Sequence, residues 1–186
     1  MKYTKTRLVT DPQRANPGDA GIDFYIPQFT KPFISALMDR NKGNAVYLFY
    51  EVDWAKYFDV DLHEMVPFKE LTIVLMPHHR ILIPSGIHVK LEPGTMMDAK
   101  NKSGVAHKMG LDIMAQLVDE SYQGEVHLSI NNTSAHPVIL KQGMKLVQFV
   151  ISKYENSELM GVSDLGKLYG ELKTERGAGG FGSSNI

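Results

Sequence analysis

From about residue 70 onward, apolar and polar positions fall into short runs of strand length. "LTIVLM", "RILIPSGIHVKL", "LDIMAQLV", "EVHLSINNT", "PVIL" and "KLVQFVISKY" are rich in β-branched and apolar residues and are separated by Pro, Gly, Asn or Ser. "EVHLSI" alternates, with Val126, Leu128 and Ile130 on one face and His127 and Ser129 on the other. Regularly spaced short strands predict an all-β architecture, a sandwich or a jelly-roll-like β-barrel. "PSG" at 84–86 and "QGM" at 142–144 predict hairpin turns between neighbouring strands.

Residues 28–70 follow another pattern. "SALMDRNKGN" predicts a short helix ending near Gly43, "AVYLFYEV" a strand, and "DWAKYFDVDLHEMV" a helix with Asp53 as its N-cap. Tyr47, Phe49, Tyr50, Trp54, Tyr57 and Phe58 cluster here. They read as a satellite core packing this segment onto the strands, with a partner-binding surface as the alternative.

A chain of 186 residues suits one domain, with or without an insertion. Its net charge of -1 gives no electrostatic case for binding bulk nucleic acid, although a single nucleotide stays compatible with it. The absence of cysteine excludes disulfides and thiolate chemistry. The seven histidines show no ligand spacing such as H-x3-H. No signal-like apolar region opens the sequence and no run approaches about 18 apolar residues, so a soluble intracellular protein is expected, with no membrane partner.

Candidate chemistry concentrates in "NKSGVAHKMGLDIMAQLVDESYQGEVHLSINNTS". Lys102 and Ser103 precede Gly104, a residue that lets backbone N–H groups converge on an anion. Asp119 follows the apolar "LV" and precedes a turn; at the end of a buried strand such a carboxylate is partly desolvated and fixed, as a general base requires. The competing reading makes Asp119 and Glu120 solvated turn residues. In the tail "TERGAGGFGSSNI", Gly177, Gly179 and Gly182 match G-x-G-x-x-G by spacing, but that fingerprint needs a strand before it, and the following helix and acidic residue about 20 positions on are not in the sequence. A phosphate-cradling loop fails too, because Ser183 stands where Lys is needed. The tail is either a disordered terminus or an arm that closes on an anion and a ring through Arg176, Phe181 and the serines.

"DAGIDFYIP", "KSGVAHKMGL", "AQLVDESYQGEV", "QGMKLVQFVI" and "ERGAGGFGSS" occur in this order, and together they closely resemble the five ordered motifs of the trimeric deoxyuridine triphosphatases. The resemblance spans roughly residues 16–27 and 79–186. It implies a single domain over 1–186, a homotrimer of jelly-roll-like barrels with shared active sites, and Mg²⁺-dependent hydrolysis of dUTP to dUMP and pyrophosphate. By the same resemblance Asp119 activates the water that attacks the α-phosphorus. Tyr122 stacks beneath the deoxyribose, Ser103 and Gln148 contact phosphate, and Asp23 reaches the metal through water. In the arm, about 173–186, Arg176 meets the γ-phosphate and Phe181 covers uracil, while Gly182, Ser183 and Ser184 complete the lid. A hairpin around 112–117, with Gln116 in place of a common glycine, reads the base.

Beside Gln116, three departures qualify that match. Lys102 replaces an arginine, which keeps the charge but loses a bidentate fork. Met144 and Lys145 stand where the family has Asp-Arg, so an acidic partner is missing. Residues 28–70 exceed the family's usual connection and read as an insertion with mixed α/β content. Two rival readings remain: a related dCTP deaminase, and a regulatory module that offers the insertion to a protein partner. A viral gene product acting in a host cytoplasm is compatible with all of this.

Overall fold

The structure, a computed structural model, describes residues 1–44, 46–49 and 71–179. The chain divides into two compact units, Met1–Tyr154 and the segment from Glu155 onward.

The first unit is built almost wholly from strands. In chain order it contains β1 (Lys2–Lys5), β2 (Ile22–Phe24), helix α1 (Lys31–Arg40), β3 (Tyr47–Phe49), β4 (Thr72–Leu75), β5 (Arg80–Pro84), β6 (Ile87–Lys90) and β7 (Thr95–Asn101). After helix α2 (Ser103–Met109) come β8 (Leu111–Ile113), β9 (Leu117–Val118), β10 (His127–Asn132), β11 (Val138–Leu140) and β12 (Val147–Lys153). They form four sheets, ordered β1-β6, β5-β10-β8, β11-β4-β3 and β2-β12-β7-β9, and every ladder is antiparallel. The all-β expectation holds.

Alternation puts the core where the sequence predicts it. Val126, Leu128 and Ile130 are all buried, as are Ile81 and Ile83 on the paired strand β5. Phe24 on β2 and Phe149 on β12 close the centre, with ring centroids 4.6 Å apart. The predicted turns behave differently from expectation. Residues 84–86 and 142–144 do turn, with Gly86 at φ 75° and Gly143 at φ 78°. Neither makes a hairpin, because β5 and β6 belong to different sheets, and so do β11 and β12. Each turn carries the chain from one layer to another, a job for which the local dipeptide is the same.

Helix α1 belongs to the main core. It starts a turn earlier than predicted because Thr30 Oγ1 accepts the Phe33 N–H at 3.3 Å and Pro32 sits in the first turn. Its apolar stripe, Phe33 and Leu37, is fully buried in the main core, and Phe29 stacks on Phe33 at 5.4 Å. Helix α1 ends at Asn41, whose amide acts as an extra rung of the sheet. Asn41 Nδ2 donates to the Leu37 and Leu82 carbonyls at 2.7 and 2.9 Å, and its Oδ1 accepts the Leu82 N–H at 2.9 Å. Tyr47 is 46% exposed. Tyr50, Trp54, Tyr57 and Phe58, together with the helix expected after Asp53, lie outside the described residues.

The turn between β9 and β10 is pinned by Glu125. Its carboxylate accepts Arg7 Nε at 2.7 Å, Arg7 Nη2 at 3.0 Å and the Gly86 N–H at 2.6 Å. Gly86 is required twice over: its φ is left-handed, and a Cβ there would stand 2.7 Å from the Arg7 Cβ. Burial pushes the Glu125 carboxyl up, but the Arg7 fork and the Gly86 N–H outweigh it and hold it below its ordinary value. His127 Nδ1 lies 2.7 Å from the Glu125 carbonyl, which fixes the Nδ1–H tautomer, and burial lowers the imidazole's pKa.

In the second unit, Asp164 caps helix α3 (Leu165–Tyr169) by accepting the Lys167 N–H at 2.9 Å. Its apolar side chains find little cover: Leu159 is 96% exposed and Leu172 71%. No helix among the described residues is long and apolar enough to cross a membrane.

Asn41→Ala leaves the Leu82 N–H and C=O unpaired and is expected to destabilise the fold by roughly 2–3 kcal/mol, read by urea denaturation. A loss below about 0.5 kcal/mol would show that the amide rung is not part of the sheet. A second expectation concerns acid. His127 is harder to protonate folded than unfolded, so its contribution is complete above about pH 6.5 and declines as pH falls below that value. Glu125 adds a further loss in the more acidic carboxylate range, again because the unfolded chain binds the proton more readily. His127→Gln should flatten the fall in melting temperature between about pH 6.5 and 5.5; an unchanged slope would remove His127 from the account.

Candidate active site

Strand β7 lies between β12 and β9, and the predicted site residues gather at its two ends. At the C-terminal end the register sets Gln148 of β12 opposite Lys100 of β7 and Asp23 of β2. Just beyond, Lys102 caps helix α2 without a side-chain cap bond, and Ser103 and Gly104 open that helix. Together they border a cleft of about 550 Å³, lined by Lys102, Ser103, Gly104, Lys108, Lys145 and Gln148.

The charge at this cleft is organised around Asp23. The residue is 2% exposed, its Oδ1 receives Lys102 Nζ, and its Oδ2 lies 3.1 Å from Lys145 Nζ. The latter contact is ionic rather than a directed hydrogen bond. Asp23 in turn raises the pKa of Lys145 and so keeps that ammonium charged. Lys102, Lys108 and Lys145 line the cleft while one buried carboxylate pairs with two of them, so the cleft keeps a positive balance suited to a polyanion. Gln148 Nε2 donates to the Asn101 carbonyl at 2.8 Å. Its side chain crosses Gly21, where a Cβ would stand 2.2 Å from Gln148 Oε1. Gly21 is therefore the residue that gives this glutamine its room. The missing acid at position 144 has a replacement of another kind: Met144 Sδ accepts the Lys141 N–H at 3.0 Å and closes the turn.

The other end of β7 carries Asp119 and Tyr122. Met97 and Asp98 pair with Val118 and Leu117, which brings Asp119 alongside Met96. The Gln116 carbonyl accepts the Ala99 N–H at 2.7 Å. Asp119 is exposed, and among the described residues its side chain makes no hydrogen bond or ion pair. The expected desolvation is thus not supplied by the chain's own strands. Glu120 is the tied member of the pair, accepting the Gly94 N–H at 2.7 Å and the Tyr154 hydroxyl at 2.9 Å. Tyr122 is 42% exposed and donates its hydroxyl to the Glu125 carbonyl at 2.9 Å. Residues 112–117 form no closed hairpin: β8 pairs with β10 and β9 with β7, so the connection spans two sheets.

From Met96 to Lys102 is six residues along one strand, about 20 Å at ~3.3 Å per residue. Asp23, Lys102, Ser103, Gly104 and Gln148 come together; Asp119 and Tyr122 form a separate group, and Gln116 sits opposite Ala99 between the two. In the second unit Arg176 donates Nε to the Gly179 carbonyl at 2.9 Å, while Phe181, Gly182, Ser183 and Ser184 lie outside the described residues. Sequence reasoning assigned neither Lys145 nor Lys108 to the cleft, nor Gly21 to the support of Gln148. The available signal was lysine flanked by apolar residues in "GMKLV" and a glycine two places before a buried acid.

Among the described residues no three His, Cys, Asp or Glu side chains stand together to hold a metal ion. Asp23 is committed to two lysines, so a cation reached through water would have to share its carboxylate with them. The side chains present do not form a metal cage of their own.

Comparison with known proteins bears on the family and the fold. The family model described as dUTPase matches residues 68–185. A deoxyuridine 5'-triphosphate nucleotidohydrolase of Paramecium bursaria Chlorella virus 1 is 31% identical over 114 residues, covering 61% of this chain and 77% of its own length. The protein of the same name from Orientia tsutsugamushi is 33% identical over 116 residues, 61% of this chain and 74% of its own. Among solved structures, a variant dUTPase of Staphylococcus bacteriophage 80alpha with dUpNHpp superposes with a TM-score of 0.63 at 19% identity, covering 100% of this chain and 99% of that one. A variant dUTPase from phage phi11 of S. aureus, described with a structural Mg(II) ion, gives 0.57 at 17% identity over 89% of this chain and 99% of its own. At such identities the structures speak for the jelly-roll-like fold.

Proposed function

The chain belongs to the dUTPase family, and from that premise we propose that it hydrolyses dUTP to dUMP and pyrophosphate at sites completed between copies of itself. The observation that carries this reading is the division of the predicted site between the two ends of β7. A cationic cleft stands at one end and a carboxylate without a partner among the described residues at the other.

The phosphate chain lies in the cleft. Lys102, Lys108 and Lys145 supply positive charge, Ser103 donates its hydroxyl, and Gln148 is held ready by Gly21 and the Asn101 carbonyl. Asp119 of a neighbouring copy takes a proton from water as the water oxygen bonds to the α-phosphorus, and the bond to the bridging oxygen breaks to release pyrophosphate. Packing against that copy provides the desolvation that a lone chain does not give Asp119. Tyr122 offers its ring to the sugar, and a 2′-hydroxyl would collide with it. The backbone around Gln116 reads the base, and Arg176 with Phe181, Gly182, Ser183 and Ser184 closes over phosphate and uracil. Three copies with interfaces of this head-to-tail kind close a ring. Mg²⁺ arriving on the triphosphate would neutralise charge on the departing pyrophosphate.

A nucleotide panel with Mg²⁺ is expected to give pyrophosphate from dUTP and no ammonia from dCTP; ammonia without pyrophosphate would make this a deaminase instead. Asp119→Asn should reduce kcat by a factor of about 10³ or more while nucleotide binding survives, because an amide cannot accept the water's proton. Turnover near the wild-type rate would remove Asp119 as the base.

A further inference from the structure

The turn that bears Asp119 and Tyr122 is anchored by a residue more than a hundred positions away. Arg7 reaches Glu125 through Nε at 2.7 Å and Nη2 at 3.0 Å, and the two side chains are only 19% and 13% exposed. Such a two-pronged contact fixes a carboxylate in plane as well as in distance, and partial burial strengthens it. The backbone carbonyl of the same Glu125 receives the Tyr122 hydroxyl at 2.9 Å. The Tyr122 ring rests on Gly124, where an added Cβ would stand 2.4 Å from the hydroxyl oxygen. The Tyr122 N–H donates to the Asp119 carbonyl at 3.1 Å, which closes the turn.

We propose that Arg7 is a positioning residue for sugar selection: its fork on Glu125 fixes the carbonyl that holds the Tyr122 hydroxyl, and so the tilt of the ring presented to the sugar. The proposal rests on the dUTP reading, which gives Tyr122 the sugar to discriminate. Without the fork, the Glu125 carboxylate keeps only the Gly86 N–H; its carbonyl keeps the His127 Nδ1 contact at 2.7 Å and the Val126 N–H still donates to the Ile87 carbonyl at 2.8 Å, so the turn loosens by a small tilt of this peptide. Exclusion of a 2′-hydroxyl depends on a ring held to within tenths of an ångström. It therefore degrades before a proton transfer that depends on the charge of Asp119. A lysine at position 7 retains attraction but not the plane.

The test measures kcat and KM for dUTP and UTP on the full chain, with thermal melting alongside, for Arg7→Met, Arg7→Lys and Glu125→Gln. Arg7→Met is expected to raise KM for dUTP about tenfold and to lower the dUTP-over-UTP ratio of kcat/KM by a similar factor, with kcat changed by less than about threefold. Arg7→Lys should recover melting temperature without recovering that ratio. Arg7→Met and Glu125→Gln combined should do no more damage to the ratio than either alone, as two ends of one contact require. An active protein whose variants melt lower yet keep the wild-type ratio would overturn the Arg7 assignment and leave the dUTP reading standing. Wild-type protein that releases no pyrophosphate from dUTP would overturn both.

Discussion

A β-strand is a stiff rod, and this molecule places half of its chemistry at each end of one. Strand β7 separates Lys102 and Ser103 from Asp119 by about 20 Å. Its ladder with β12 runs over seven residue pairs, from Thr95 to Asn101, so no small adjustment folds it back on itself. The cleft lacks a base, and the base lacks a substrate. On the proposed reading other features of the site go with that separation: the exposure of Asp119, the open face of Tyr122, and a cationic cleft that takes its base from elsewhere. The remedy on that reading is another copy, whose opposite end supplies what the first lacks.

Asp23 decides the electrostatics of the cleft. A buried carboxylate is costly unless paired, and here one carboxylate holds two lysines from different elements, Lys102 after β7 and Lys145 before β12. The arrangement accounts for two departures from the family pattern together. An ammonium is a point charge that a single oxygen can hold, so Lys102 does not need the second carboxylate that a guanidinium fork would use. Position 144 is then free to carry a methionine, whose sulfur takes the Lys141 N–H and finishes the turn.

Strand content, core faces and the ordered motifs were legible because alternation and turn chemistry act within a few residues. The site's two halves were legible only as motifs, since nothing in "KSGVAHKMGL" or "LVDESYQGEV" says that one strand keeps them apart. Turns at Gly86 and Gly143 show the same limit: φ is a local property, whereas which sheet the next strand joins is decided by the whole core. Helix α1 begins before its periodic stretch because Thr30 and Pro32, its starting signals, precede that stretch. Arg7 and Glu125 carry no pattern at all. Their partnership comes from the layers that bring the segment after β1 beside the turn before β10.

Reassembly of mixed oligomers tests the division of the site most directly. Asp119→Asn chains and Ser103→Ala chains, each with little turnover alone, would be unfolded together, refolded at equal amounts and checked for mixed assemblies by native mass spectrometry. If each site joins Asp119 of one copy to Ser103 of another, roughly a quarter of the sites regain both intact residues and pyrophosphate release returns to that order. Mixed assemblies as inactive as either parent would contradict the account, since they would place both residues in the service of one chain.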